Sequence, residues 1–182
     1  MRVIAGQFKG RRLKAPSWDG LRPTSDRLRE TLFNVFARRV EGARVLDAYA
    51  GTGAVGIEAL SRGAAHVTFV ERDRRAAALI ASNLALCGVK RDYTIECGDL
   101  VPVLRRLPLG AEFDLVVMDP PYDADPHAVT EALEAASGRM ATEGLLVLER
   151  ATRREPGVPG ALRRFRDVPS GDSTLTLMKV DR

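Results

Sequence analysis

Arg44-Val45-Leu46-Asp47-Ala48-Tyr49-Ala50-Gly51-Thr52-Gly53-Ala54-Val55-Gly56 is the stretch on which the fold turns. The apolar run 44–48 reads as a buried strand with Asp47 near its carboxyl end. Residues 51–56 then make a glycine loop, and 57–62 read as a helix stopped by Gly63. Gly51 and Gly53 allow a sharp turn and close approach of the backbone to a ligand, while Gly56 leaves room for the helix to pack tightly. The alternation then repeats. Strands at 66–70, 93–96, 114–118 and 145–148 are separated by helices at 74–86, 100–107 and 126–136. Each strand is a near-continuous apolar run, as in a parallel sheet covered on both faces. Past a Pro- and Gly-rich break at 154–160, the runs 162–168 and 174–180, joined by Pro169-Ser170-Gly171-Asp172, predict a closing antiparallel hairpin. The expected fold is therefore α/β: a Rossmann-like, mostly parallel seven-stranded sheet with a C-terminal antiparallel hairpin.

The text upstream is of another kind. Val3 to Lys9 and Arg11 to Lys14 flank Gly10 and suggest a small β-hairpin, followed by a Pro, Ser, Trp and Gly segment. Thr24-Ser25-Asp26 is an N-cap cluster, and Leu28, Leu32, Val35 and Phe36 at helical spacing predict an amphipathic helix over 26–39. The division expected is a basic hairpin extension at 1–24 on a main domain at 25–182. Residues 1–40 carry ten Lys or Arg against three acids, a net +7, which leaves −3 for the rest of a chain whose total is +4. A basic arm on a mildly acidic body suits a polyanion partner, because each cation that neutralises a phosphate releases counterions. An Arg-rich solvated surface is the alternative.

With 182 residues, 45% of them hydrophobic, the chain can bury one core. It has no run of eighteen apolar residues, and its first residues run into charge without an apolar leader, so a cytoplasmic protein with no membrane partner is expected. Cys87 and Cys97, with two histidines in the chain, give neither a disulfide framework nor metal-ligand spacing, and no metal is expected.

In open α/β sheets ligands bind beyond the carboxyl ends of the strands. Four acids stand at those ends: Asp47, Glu71, Asp99 and Asp119. The glycine loop also satisfies G-x-G-x-x-G, with Glu71 twenty residues after Gly51, so a dinucleotide-dependent oxidoreductase has to be weighed. Against it, Asp47 would face a pyrophosphate. A cofactor with a cation and no phosphate suits the loop better. S-adenosylmethionine offers an ammonium, a sulfonium and a ribose diol that the Glu71 carboxylate can hold through two hydrogen bonds, and Asp99 could accept the adenine amino group.

Asp119-Pro120-Pro121-Tyr122, directly after an apolar strand, is the most specific element. Two prolines fix the backbone and remove donors, so the Pro120 carbonyl and the Asp119 carboxylate can aim at one spot. A base NH₂ would satisfy both acceptors, and the face of Tyr122 offers a stacking surface.

Asp-x-x-x-Gly-x-Gly after the first strand with Asp-Pro-Pro-Tyr after the fourth resembles the class I amino-methyltransferases acting on nucleic-acid bases. Arg2-Val3-Ile4-Ala5-Gly6, Gly10-Arg11-Arg12-Leu13, Gly20-Leu21-Arg22-Pro23-Thr24 and Asp26-Arg27-Leu28-Arg29-Glu30-Thr31-Leu32-Phe33-Asn34 are similar to the bacterial RsmD family. That family methylates N2 of a guanine in small-subunit (16S) ribosomal RNA. The resemblance implies a monomer acting on 16S rRNA within the small subunit or its assembly intermediate, with S-adenosylhomocysteine as the second product. It implies that Asp47, Ala48, Gly51, Thr52, Gly53, Glu71, Arg72, Asp99, Leu100 and Asp119 line the cofactor pocket. Asp119, Pro120, Pro121 and Tyr122 would hold the base, and Lys9, Arg11, Arg12, Lys14, Arg22, Thr24, Arg27 and Arg29 would face RNA. Ser170 departs from the aromatic that family members usually carry before the last Gly-Asp. The competing readings are a DNA or RNA adenine-N6 methyltransferase, whose separate recognition region this short chain lacks room for, and a non-catalytic RNA-binding factor.

Overall fold

The computed structural model describes residues 1–19, 24–108, 110–153, 155 and 157–181. After helix α1 (Asp26–Phe36) come strand β1 (Arg44–Asp47), α2 (Ala54–Ser61), β2 (His66–Glu71), α3 (Arg74–Leu86), β3 (Tyr93–Cys97), α4 (Leu100–Arg106), β4 (Phe113–Met118), α5 (Pro126–Ser137), β5 (Met140–Ala151), β6 (Leu162–Ser170) and β7 (Ser173–Val180). One seven-stranded sheet runs in the order β3-β2-β1-β4-β5-β7-β6. Its strands are parallel except β7, which pairs antiparallel with both β5 and β6. The order reverses at β1, next to β4, and so opens a crevice at the carboxyl ends of those two strands. Alternate strand residues feed two cores. Val45, Val117 and Val147 pack with α1, α2 and α3, whereas Leu46, Val116 and Leu148 pack with α4 and α5.

Several boundaries move for local reasons. α1 stops at Phe36, where Ala37 takes a φ of 48°, and a 3-10 turn over Ala37–Val40 completes the expected length. The closing turn is only Gly171-Asp172, because Gly171 supplies a φ of 65° and lets β6 run on to Ser170. Pro169 is accommodated inside β6 because that strand is the sheet edge. Gly56 behaves as expected: a Cβ there would come within 2.2 Å of the Phe69 ring.

The N-terminal hairpin is reduced to one antiparallel bridge, Arg2 to Arg12. Val3, Gly10 and Leu13 N–H still pair within the hairpin, but the donors between Ile4 and Phe8 that have partners go to α2. Glu58 accepts from the backbone N–H of Ile4 at 2.7 Å and of Ala5 at 2.9 Å, and Ser61 accepts from Gln7 and Phe8. Val3 and Leu13 are buried in the core beside α1, and Arg75 stacks over the Trp18 ring at 5.0 Å. Among the described residues, no helix is long and apolar enough to cross a membrane.

Candidate active site

The glycine loop is a tight cradle between β1 and α2. Gly51 and Gly53 have φ of 54° and 76°, conformations that favour glycine, and Gly53 N–H closes the turn on the Ala50 carbonyl at 2.7 Å. Asp47 is buried and accepts from the Gly56 N–H at 2.9 Å. Burial pushes its carboxyl up to about 7; the Gly56 N–H opposes the rise and the charge of Glu71 adds to it. Glu71, at the end of β2, fixes the loop from the other side, accepting from Gly51 N–H and Asp73 N–H, each at 2.8 Å. Ala48 and Leu100 are buried in the core that packs with α4 and α5. Thr52 is also buried, and its carbonyl accepts from Asn83 on α3 at 3.0 Å. Arg72 and Asp99 are exposed at the rim. Asp99 occupies the N-cap position of α4, yet its side chain makes no capping hydrogen bond.

At the end of β4, the strand paired with β1, stands the diproline corner. Pro120 is buried, Pro121 exposed, and Tyr122 is 49% exposed. A mostly apolar cavity lies against the corner, walled by Pro120, Pro121, Tyr122, Val129, Leu148 and Ala151. Asp119 accepts from the Thr24 hydroxyl at 3.1 Å. Burial drives the Asp119 carboxyl up to about 8; the neighbouring Glu149 carboxyl and then Asp47 add to the rise, and the Thr24 hydrogen bond opposes it. Asp47, Glu71 and Asp119 thus lie within electrostatic reach of one another, Asp47 beside Glu71 and Asp119 beside Asp47. Thr24 joins them because Ser25, not Thr24, caps α1, accepting from Leu28 N–H at 3.2 Å.

Of the residues expected to face RNA, Lys9, Arg11, Arg12, Lys14 and Arg27 are exposed. Two of these also brace the arm on α3, Lys14 Nζ through Ser82 Oγ at 3.0 Å and Arg11 through the Leu86 carbonyl at 3.4 Å. Arg22 lies outside the described residues. Arg29 is a correction. Its side chain is fully buried, donating to the Arg2 carbonyl at 2.7 Å and to Asp26 at 2.6 Å, with Glu58 3.8 Å away. It falls on the same helical stripe as Leu32, Phe33 and Phe36, at i+3, i+4 and i+7, so it faces the core and ties the arm to α1 and α2 instead of meeting a ligand.

Sequence reading missed Glu149, Ser173, Asn83 and Glu58. Glu149 follows the apolar run 145–148 and obeys the strand-end rule that found the other four acids. Nothing in the sequence flags the rest. Asn83 is a bridge: its Nδ2 reaches the carbonyls of Thr52 and Lys14 while its Oδ1 accepts from Lys14 N–H, which joins the glycine loop to the basic arm.

A sheet of this order, with a glycine cradle after β1 and a diproline corner after β4, defines a class I methyltransferase fold. The protein is an enzyme of that methyltransferase class. Residues 1–179 match the family model described as Conserved hypothetical protein 95, and the chain belongs to that family, the RsmD family. It is 37% identical over 178 residues to the ribosomal RNA small subunit methyltransferase D of Escherichia coli K12, covering 97% of this chain and 88% of that protein. The protein of the same name from Haemophilus influenzae is 40% identical over 124 residues, covering 67% and 64%. Among solved structures, an Escherichia coli methyltransferase superposes with a TM-score of 0.85 at 30% identity, covering 100% of this chain and 98% of that one. A Haemophilus influenzae methylase gives 0.78 at 27% identity, with 98% and 97% covered.

Proposed function

We propose that this chain transfers the methyl group of S-adenosylmethionine to the exocyclic N2 of a guanine in small-subunit ribosomal RNA, acting as a monomer in the cytoplasm on the subunit or its assembly intermediate. The observation that carries the reading is the crevice itself. The Asp119 carboxyl and the diproline corner follow β4, the strand paired directly with β1, which leads into a glycine cradle ringed with acids, in a chain whose relatives are named for small-subunit rRNA methylation.

The donor set fits the cofactor. Glu71 spends one lone pair of each oxygen on a backbone N–H and keeps others for ribose hydroxyls, Asp99 holds uncommitted acceptors at the rim, and Asp47 fixes the loop through the Gly56 N–H. When bound, S-adenosylmethionine supplies an already activated methyl group on sulfur. The residues of the chain then have mainly to orient. Holding a base nitrogen in line at near-attack distance contributes on the order of 7 to 11 kcal/mol. Asp119 and the Pro120 carbonyl accept from the amino hydrogens, and they bond more strongly as the nitrogen gains positive charge. Tyr122 offers its exposed ring to a base that has left its stack, a step that costs a few kcal/mol. The exposed Lys9, Arg12 and Arg27 supply phosphate contacts.

Mass-spectrometric mapping of ribosomal RNA from cells with and without the gene tests the proposal. Loss of one N2-methylguanosine from small-subunit rRNA is expected. An unchanged methylation map, or loss of an N6-methyladenosine instead, would refute it.

A further inference from the structure

Asp119 follows the last residue of β4, and Glu149 lies in the neighbouring parallel β5. Val117 pairs with Val147 and Met118 with Leu148, so the next two residues fall side by side, on the face shared with Val117 and Val147. Like charges directly opposed across a sheet destabilise it. Glu149 is moreover nearly buried, at 7% exposure, where an ionised carboxylate is costly without donors. Its donors are hydroxyls: Oε1 accepts from Tyr122 at 3.1 Å and from Ser173 Oγ at 2.9 Å, and those two hydroxyls stand 3.0 Å apart. The closed triangle fastens the phenol end of a ring that is otherwise half exposed, and so limits the rotamers open to it.

We infer that Glu149 is a positioning residue of the methyl-transfer site: it anchors the Tyr122 ring by its hydroxyl and holds the Asp119 carboxyl against a like group until an amino nitrogen arrives to satisfy it. Burial and then the facing Glu149 carboxyl hold the Asp119 carboxyl above its ordinary range. A base NH₂ donating to Asp119 favours its ionised form, and the displaced proton passes to solvent. Among the described residues, the titratable groups facing this pair are Asp47 from β1 and Tyr122 from the corner; Thr24, at the foot of α1, contributes a neutral hydroxyl. The inference rests on the proposed function only for the identity of the arriving nitrogen.

The test compares full-length wild type with Glu149→Gln and Tyr122→Phe. The first readout is the pH profile of methyl transfer from labelled S-adenosylmethionine to small-subunit rRNA. The second is the carbon-13 titration of the Asp119 carboxyl in the protein alone. Glu149→Gln keeps an acceptor for the phenol but removes the like charge, so the acidic limb and the Asp119 titration both move down by about one pH unit or more. Tyr122→Phe keeps the ring but frees it, and kcat falls about ten-fold while the limb stays in place. A limb and a titration both unmoved in Glu149→Gln overturn the inference. Should that variant fail to fold, the wild-type Asp119 titration still decides: a midpoint well above the ordinary carboxylate range supports the pairing, and an ordinary midpoint refutes it. If wild type transfers no methyl to rRNA, the proposed function fails while the Asp119 titration still judges Glu149.

Discussion

Replacing Glu58 by Gln changes one atom of a carboxylate that holds the basic arm to the body. Oε2 accepts from Ile4 N–H at 2.7 Å and lies 3.8 Å from Arg29 Nη1; Oε1 accepts from Ala5 N–H at 2.9 Å and from Arg62 Nε at 2.8 Å. In either orientation the new NH₂ confronts one backbone donor and one guanidinium, so two acceptor contacts are lost and a donor is buried against donors. Arg29 is left worse off, since its Nε and Nη1 already lack hydrogen-bond partners among the described residues. Removing one side of a buried, hydrogen-bonded ion pair costs about 3–5 kcal/mol. For a chain of this size each kcal/mol lowers Tm by roughly 2–4 °C, so a fall of about 6–20 °C is expected. Circular-dichroism melts measure it. Because the same contacts seat Lys9, Arg11 and Arg12, the variant should also bind small-subunit rRNA more weakly and with a shallower salt dependence, measured by filter binding at a temperature where it is folded. A Tm within about 2 °C of wild type would show that the latch does not hold the arm.

The other predictions concern the crevice and its packing. Asp47 and Asp119 titrate near 7 and 8 in the folded chain instead of at the ordinary 3.8, so the native state binds protons more tightly than the unfolded one. Their contribution to stability is therefore full below about pH 4 and is lost as pH rises to 8, at no more than about 1.4 kcal/mol per pH unit for each group. Denaturation midpoints should fall between pH 6 and 8 in wild type and fall less steeply in Asp119→Asn; parallel slopes would contradict the assignment. Asp119→Asn keeps one acceptor and loses the charge, and kcat should drop about 10²- to 10³-fold with little change in S-adenosylmethionine affinity. Transfer to rRNA at the wild-type rate would remove Asp119 from its role. Gly56→Ala drives a methyl into the Phe69 ring and Val67, with a cost of about 1–3 kcal/mol in urea unfolding. A neutral substitution would mean that α2 shifts freely on the sheet.

The order of elements, the glycine cradle, the diproline corner and the strand-end acids Asp47, Glu71, Asp99 and Asp119 could be read from the chain because each depends on a local rule. Apolar runs of strand length, glycines where φ turns positive, and loops at carboxyl ends need only neighbouring residues to be recognised. Tertiary structure alone decided what met what. The side-by-side register of β4 and β5 made Glu149 the partner of Asp119, and the choice of Ser25 as cap released Thr24 to the same carboxyl. Arg29 shares the apolar stripe of α1, yet only the packing of that helix brought it onto Glu58, and the same packing buried Val3 and Leu13 of the arm. Pairings of this kind span 24 to 95 residues and arise from burial and strand register, which no periodicity in the sequence encodes.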